Sequence, residues 1–155
     1  MKQNSTVKEQ SLNPQPKVRP AAQPETGEGL DERVRAALHA ASEKKAIEPV
    51  VLDLREIASF TDYFVIVSGA NERQVQAISD EVYETLKKSG HAAARVEGYK
   101  TAEWILLDYG DFVMHVFEQK ARKFYDLERL WRESKRIDVP AEFNPNSAGS
   151  LRRES

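Results

Sequence analysis

Apolar positions along this chain change their period several times, and the changes divide it into elements. Val34, Leu38 and Ala41 recur at helical spacing behind Asp31, a capping residue type, which predicts a helix to about Lys44. Pro49 then introduces a short strand, Val50 to Leu54. Tyr63 to Val67 (Tyr-Phe-Val-Ile-Val) is an unbroken run of β-branched and aromatic residues, the pattern of a central strand buried on both faces. Asn71 and Gln74 have capping-box spacing, and Val75, Ile78, Val82 and Leu86 give the next helix an apolar stripe that Gly90 closes.

Ala92 to Glu97 reads as a weaker strand. Trp104 to Tyr109 and Phe112 to Phe117 are two strong ones, and the intervening Gly110-Asp111 favours a tight hairpin of the II′ type. Glu118 to about Lys135 predicts a closing helix with Phe124, Leu127, Leu130 and Trp131 on one side. The order α-β-β-α-β-β-β-α implies an α/β sandwich around a mixed sheet with at least one antiparallel hairpin.

The hairpin allows face assignment by counting, because strand side chains alternate. Tyr109 with Phe112, Leu107 with Met114 and Ile105 with Val116 form a wholly apolar face, which must be core. The opposite face carries Asp108 with Val113, Leu106 with His115, and Trp104 with Phe117. Two readings of this mixed face stand open: a helix covers it and satisfies the polar pair, or it is a docking patch with an aromatic anchor and a polar rim. Trp104, at the strand entrance, is the first candidate anchor.

Length and polarity then set the boundaries. A chain of 155 residues suits one domain. All Phe, Tyr and Trp lie between Phe60 and Phe143, and the proline-bearing start is too polar to offset its ordering entropy. Residues 1–29 are therefore expected to be a disordered tail, 30–137 the folded domain, and 138–155 a flexible C-terminal tail. No apolar run approaches the roughly 18 residues of a membrane-spanning helix, and the start resembles neither a secretory signal nor an Arg-rich presequence. A cytoplasmic protein without membrane contact is the expectation.

Charge and residue chemistry exclude more than they suggest. With no cysteine, disulfides, thiolate nucleophiles and cysteine metal sites are ruled out. A net charge of -2 argues against a general nucleic-acid binder, although a local basic patch stays open. Ser68-Gly69 after the central strand invites comparison with phosphate loops, but a single glycine and no following Lys favour a plain turn at the start of a helix. His39, His91 and His115 show no ligand spacing, so no metal or cofactor is expected. Asp108 and His115 would sit diagonally across the hairpin, without the strained nucleophile turn a catalytic dyad would serve. In the closing helix Lys120, Arg122, Lys123, Arg129, Arg132, Lys135 and Arg136 interleave with Glu118, Asp126, Glu128 and Glu133. That reads as a solvated, ion-paired face, with contact to a phosphate-rich assembly as the other reading.

Four segments together carry a family likeness. They are Phe60-Thr61-Asp62-Tyr63-Phe64-Val65-Ile66-Val67-Ser68-Gly69, then Val96-Glu97-Gly98, then Ala102 through Phe117, then Arg122-Lys123-Phe124-Tyr125-Asp126-Leu127-Glu128-Arg129-Leu130-Trp131. In this order, over about Val34 to Trp131, they resemble the ribosomal silencing factor (RsfS, or Iojap) family. The resemblance implies a fold related to nucleotidyltransferases without their catalytic carboxylates, and a protein that is not an enzyme. It implies binding to the large ribosomal subunit through the intersubunit-face protein L-fourteen, which blocks joining of the small subunit and represses translation. It also implies a homodimer, and organellar relatives act in large-subunit biogenesis. By position, Trp104, Leu106, Asp108, Val113 and His115 are placed at the partner surface, while Trp131 is expected to pack internally. A large-subunit assembly factor and a nucleotidyltransferase-related enzyme are the rival functions; sequence-specific nucleic-acid binding is not expected.

Overall fold

The structure, a computed structural model, describes residues 30–144. The expected disordered segment 1–29 and the end of the chain from 145 lie outside the described residues.

Helix α1 spans Glu32–Glu43, and Asp31 caps it by accepting the Arg33 backbone N–H at 2.8 Å. Strand β1 (Ile47–Asp53) and strand β2 (Tyr63–Gly69) pair antiparallel, and helix α2 (Glu72–Lys88) follows. Its cap is reciprocal: Asn71 Oδ1 accepts the Gln74 N–H, and Gln74 Oε1 accepts the Ala70 N–H. Strands β3 (Arg95–Glu97), β4 (Trp104–Asp108) and β5 (Phe112–Glu118) come next. The sheet runs β3-β4-β5-β2-β1 and ends on a sixth strand, β6 (Lys135–Ile137). Only the central β2–β5 pair is parallel. This is the mixed α/β architecture the order of elements implied.

The two sheet faces are covered unequally. Helices α1 and α2 pack on one face, where Val34, Leu38, Val75, Ile78, Val82 and Leu86 meet Val51, Val65, Ile105, Leu107, Met114 and Val116. Two short helices, α3 (Gln119–Tyr125) and α4 (Leu127–Leu130), serve the other. There the core is smaller: Leu52, Leu54, Phe64, Ile66, Val113 and Phe117 with Ala121 and Leu127. The strand register agrees with the counted pairs, Trp104 opposite Phe117, Leu106 opposite His115 and Asp108 opposite Val113. At the tip, Gly110 takes φ +86° and the Asp111 N–H donates to the Tyr109 carbonyl, closing a three-residue turn tighter than the II′ form.

Several elements differ from the sequence expectation. Strand β1 begins before Pro49, because a bulge between Ile47 and Val50, with Glu48 at φ +51°, accommodates a residue that cannot donate to the ladder. The closing helix is broken. Asp126 adopts a left-handed conformation (φ +50°), a geometry aspartate tolerates, and separates α3 from α4. Residues 131–134 form turns where the helix was expected to end, and edge strand β6, which the sequence did not predict, follows and pairs with β1. Residues 138–144, expected in the C-terminal tail, are packed instead: Val139 lies on the larger core, and a 3-10 turn, Ala141–Phe143, buries Phe143 against it.

Candidate functional site

A series of rings crosses the thinly covered sheet face. Phe124 meets Tyr125 (centroids 5.0 Å apart), Tyr125 meets Trp104 (4.9 Å), and Trp104 meets His115 (5.9 Å). His115 then meets Phe64 (4.4 Å), Phe64 meets Trp131 (5.7 Å), and Trp131 meets Phe60 (5.9 Å). The two ends stand in solvent, Phe124 79% and Phe60 61% exposed, while the middle is buried. Strands β2, β4 and β5 supply the rigid centre; helix α3 and the loop before β2 supply the ends.

That loop is pinned at both ends of its path. The Leu54 N–H donates to the Asp62 carbonyl at 2.8 Å, and the Thr61 hydroxyl donates to the Gly110 carbonyl at 2.9 Å. At its start Arg55 forks onto Asp53, Nε to Oδ1 and Nη2 to Oδ2. Burial raises the Asp53 carboxyl pKa, but the Arg55 hydrogen bonds outweigh it and hold the group below its ordinary value. The loop so held exposes Ile57 and Phe60 beside half-buried Trp131. Such an apolar, aromatic surface held on a fixed frame suits protein docking.

The five predicted site residues divide into two groups. Trp104, Leu106 and Asp108 are partly exposed. Val113 and His115 are buried, His115 to 2% exposure, so in the isolated chain they lie beneath the surface, not on it. A short helix covers one end of the mixed face only, and Trp104, Leu106 and Asp108 keep part of their surface in solvent. The Trp104 indole Nε1–H donates to His115 Nδ1 at 3.0 Å, which places the imidazole proton on Nε2. Nε2 itself has no hydrogen-bond partner among the described residues. Burial pushes the His115 pKa down to about 3, so the ring is neutral across the physiological range. Asp108 bonds elsewhere, its Oδ1 to the Gly110 N–H and its Oδ2 to Arg95 Nη2. The two residues of the imagined dyad therefore serve different partners.

Behind the belt lies a polar knot. Arg122 donates Nε and Nη2 to the two carboxylate oxygens of Glu128, each at 3.1 Å, and Nη1 to the Ser68 hydroxyl at 2.9 Å. Ser68, considered above for phosphate binding, is buried and occupied by this contact. The knot ties α4 to α3 and to the end of β2.

Sequence reasoning missed Phe60, Ile57, Tyr125, Phe124 and Leu130 as surface residues. Phe124 and Leu130 were expected in a packed stripe with Leu127 and Trp131, yet Leu127 alone of the four is fully buried. The break at Asp126 turns Phe124 and Leu130 away from the common face, while Trp131 packs, half-buried, on the smaller core beside Phe64.

Comparison with known proteins adds an independent line. The model of a family described as "Ribosomal silencing factor during starvation" matches residues 28–154. A ribosomal silencing factor RsfS of Halalkalibacterium halodurans is 38% identical over 108 residues, 70% of this chain and 92% of the relative. A mouse protein named "Mitochondrial assembly of ribosomal large subunit protein 1" is 35% identical over 75 residues, 46% of this chain and 33% of the relative. A crystal structure of a Bacillus halodurans protein, 38% identical, superposes with a TM-score of 0.63 over 70% of this chain and 98% of that one.

Proposed function

The chain belongs to the ribosomal silencing factor family, and on that premise we propose that it docks on the large ribosomal subunit through its aromatic belt and prevents small-subunit joining. The observation that supports this reading is the belt itself, a row of rings exposed at Phe60 and anchored at Trp104. Protein L-fourteen is the proposed partner. Trp104, Leu106 and Asp108 meet it directly, whereas Val113 and His115 act from below by holding the anchor. A standard interface of about 800 Å² per partner suffices for stable binding. Because two rigid bodies cannot share one volume, occlusion needs no bond made or broken. No helix among the described residues is long and apolar enough to cross a membrane, and cytoplasmic action as a homodimer-forming protein belongs to the same proposal.

Co-sedimentation of purified large and small subunits tests it. Wild-type protein is expected to pellet with large subunits and reduce the joined fraction, and Phe60→Ser to do neither. Joining left unchanged at saturating protein defeats the proposal.

The name of the mouse relative favours a second reading, action in large-subunit assembly. Binding only to immature particles would select it over silencing. A nucleotidyltransferase-related activity would require nucleotide binding, and a nucleotide at 100 times its Kd would add roughly 2.7 kcal/mol of stability in a thermal-shift measurement.

A further inference from the structure

Beyond the Tyr125 end of the belt, the surface changes character. A shallow depression of about 570 Å³ is lined by Lys123, Phe124, Tyr125, Arg129, Leu130 and Arg132, with Asp126 as its one carboxylate. Phe124 and Leu130, 79% and 71% exposed, are the two most exposed large apolar residues described. The Phe124 ring stands edge-on to Tyr125 (87°), and Tyr125 rests on Trp104, so the outermost ring is held from behind while its surface stays free.

The surrounding charges are arranged unequally. Glu118 is consumed in capping α3, accepting the Lys120 and Ala121 N–H groups. Glu128 is consumed by Arg122 and Arg136. Lys120, Lys123, Arg129 and Arg132, by contrast, form no ion pair among the described residues. The depression thus brings three unpaired cations together around a free aromatic ring, in a chain whose net charge is -2.

We propose that the α3–α4 ridge is a sequence-tolerant RNA-binding surface, taking the phosphates of an unpaired stretch on Lys123, Arg129 and Arg132 and a base on Phe124. Cations track a backbone without reading sequence, and any base offers a π-face to an exposed ring. The planar guanidinium groups of Arg129 and Arg132 suit bidentate contact with phosphate. An acidic peptide would use the cations but would leave the ring without a flat partner. The ridge joins the docking belt through the Tyr125–Trp104 contact, so an RNA bound here would lie beside the protein partner. In placing that RNA on the large subunit the inference rests on the proposed function; the RNA binding itself does not.

Fluorescence anisotropy with labelled decauridine, between roughly 50 and 200 mM salt, tests the ridge. Wild-type protein is expected to bind with a log–log salt slope of about −2, as three phosphate contacts on a single strand require. A Lys123→Gln/Arg129→Gln/Arg132→Gln variant should lose most of the affinity and bring the slope toward zero. Phe124→Ser should weaken binding about tenfold or more while leaving the slope unchanged. All four side chains are exposed, so the variants keep the fold, which circular dichroism checks. No wild-type binding at low salt, or unaltered binding by the triple variant, overturns the proposal. Tighter binding of deca-glutamate than of decauridine at the same salt also overturns it and assigns the ridge to an acidic protein. Phe60→Ser separates the two readings: it should retain decauridine binding while losing the large subunit.

Discussion

The Trp104 indole and the His115 imidazole, diagonal neighbours across the β4–β5 hairpin, share a 3.0 Å hydrogen bond that fixes the anchor ring from beneath. Trp104 is stacked on Phe117 as well, with centroids 4.9 Å apart. Trp104→Phe keeps a ring on Phe117 but removes the donor, leaving both His115 nitrogens buried without a partner. The expected loss is about 1–3 kcal/mol in denaturant unfolding. An unchanged midpoint would mean that the bond is not what orders the ring. Trp104 variants therefore mix stability with docking.

Phe60 separates those effects. At 61% exposure it contributes little to the core, touching Phe64 and Trp131. Phe60→Ser should cost about 1 kcal/mol or less in stability. Its loss in binding large subunits should be on the order of 2 kcal/mol, the mark of an interface hot spot. Equal affinity for wild type and variant would move the docking surface elsewhere.

Acid should unfold this protein through His115. Its folded pKa of about 3 lies below its ordinary value of 6.5, so in that interval the unfolded chain binds the extra proton. The stability is fully present above pH 6.5 and is lost as pH falls toward 3. By pH 5 the loss from this group should be roughly 2 kcal/mol. Denaturant curves at pH 7 and pH 5 measure it, with His115→Gln as the non-titrating comparison; the same drop in that variant assigns the effect to other groups.

The Arg122–Glu128 knot should behave asymmetrically. Glu128→Ala strands a buried guanidinium with Ser68, its hydroxyl 2.9 Å away, as its main remaining partner. The cost should be on the order of 3 kcal/mol, with faster hydrogen exchange across residues 119–131. An Arg122→Met/Glu128→Leu pair, which removes both charges, should recover most of it. A double variant as unstable as the single one would show that the knot supplies net stability.

Gly98 belongs to the Val-Glu-Gly segment of the family likeness, and its geometry explains the residue. Its φ is +82°, and a Cβ there would lie 2.1 Å from the Trp104 carbonyl oxygen. Gly98→Ala must strain the backbone and push the start of β4 away. The expected loss is about 2 kcal/mol or more, with altered Trp fluorescence. A native-like melting temperature would refute the close approach.

Much of the fold was legible from residue order because its signals are local. Asp31 and Asn71 start helices through hydrogen bonds made within three residues, and Val75, Ile78, Val82 and Leu86 mark one helix face by spacing alone. The hairpin register followed from a two-residue loop and strand alternation, which is why Trp104, Leu106, Asp108, Val113 and His115 were correctly gathered on one face. Alternation shows which residues share a face but cannot show how deeply that face is covered. Covering depends on distant segments. The turn at Asp126 shortens α3, docks Leu127, leaves Phe124 and Leu130 in solvent, and lets Lys135–Ile137 pair with β1. Phe64 and Trp104 close over His115, making it a buried support for Trp104. Sequence alone determined most of the elements, their inner faces and the family; tertiary packing decided the broken closing helix, the edge strand β6 and which parts of the outer face reach solvent, because these depend on what remote chain segments pair with or leave uncovered.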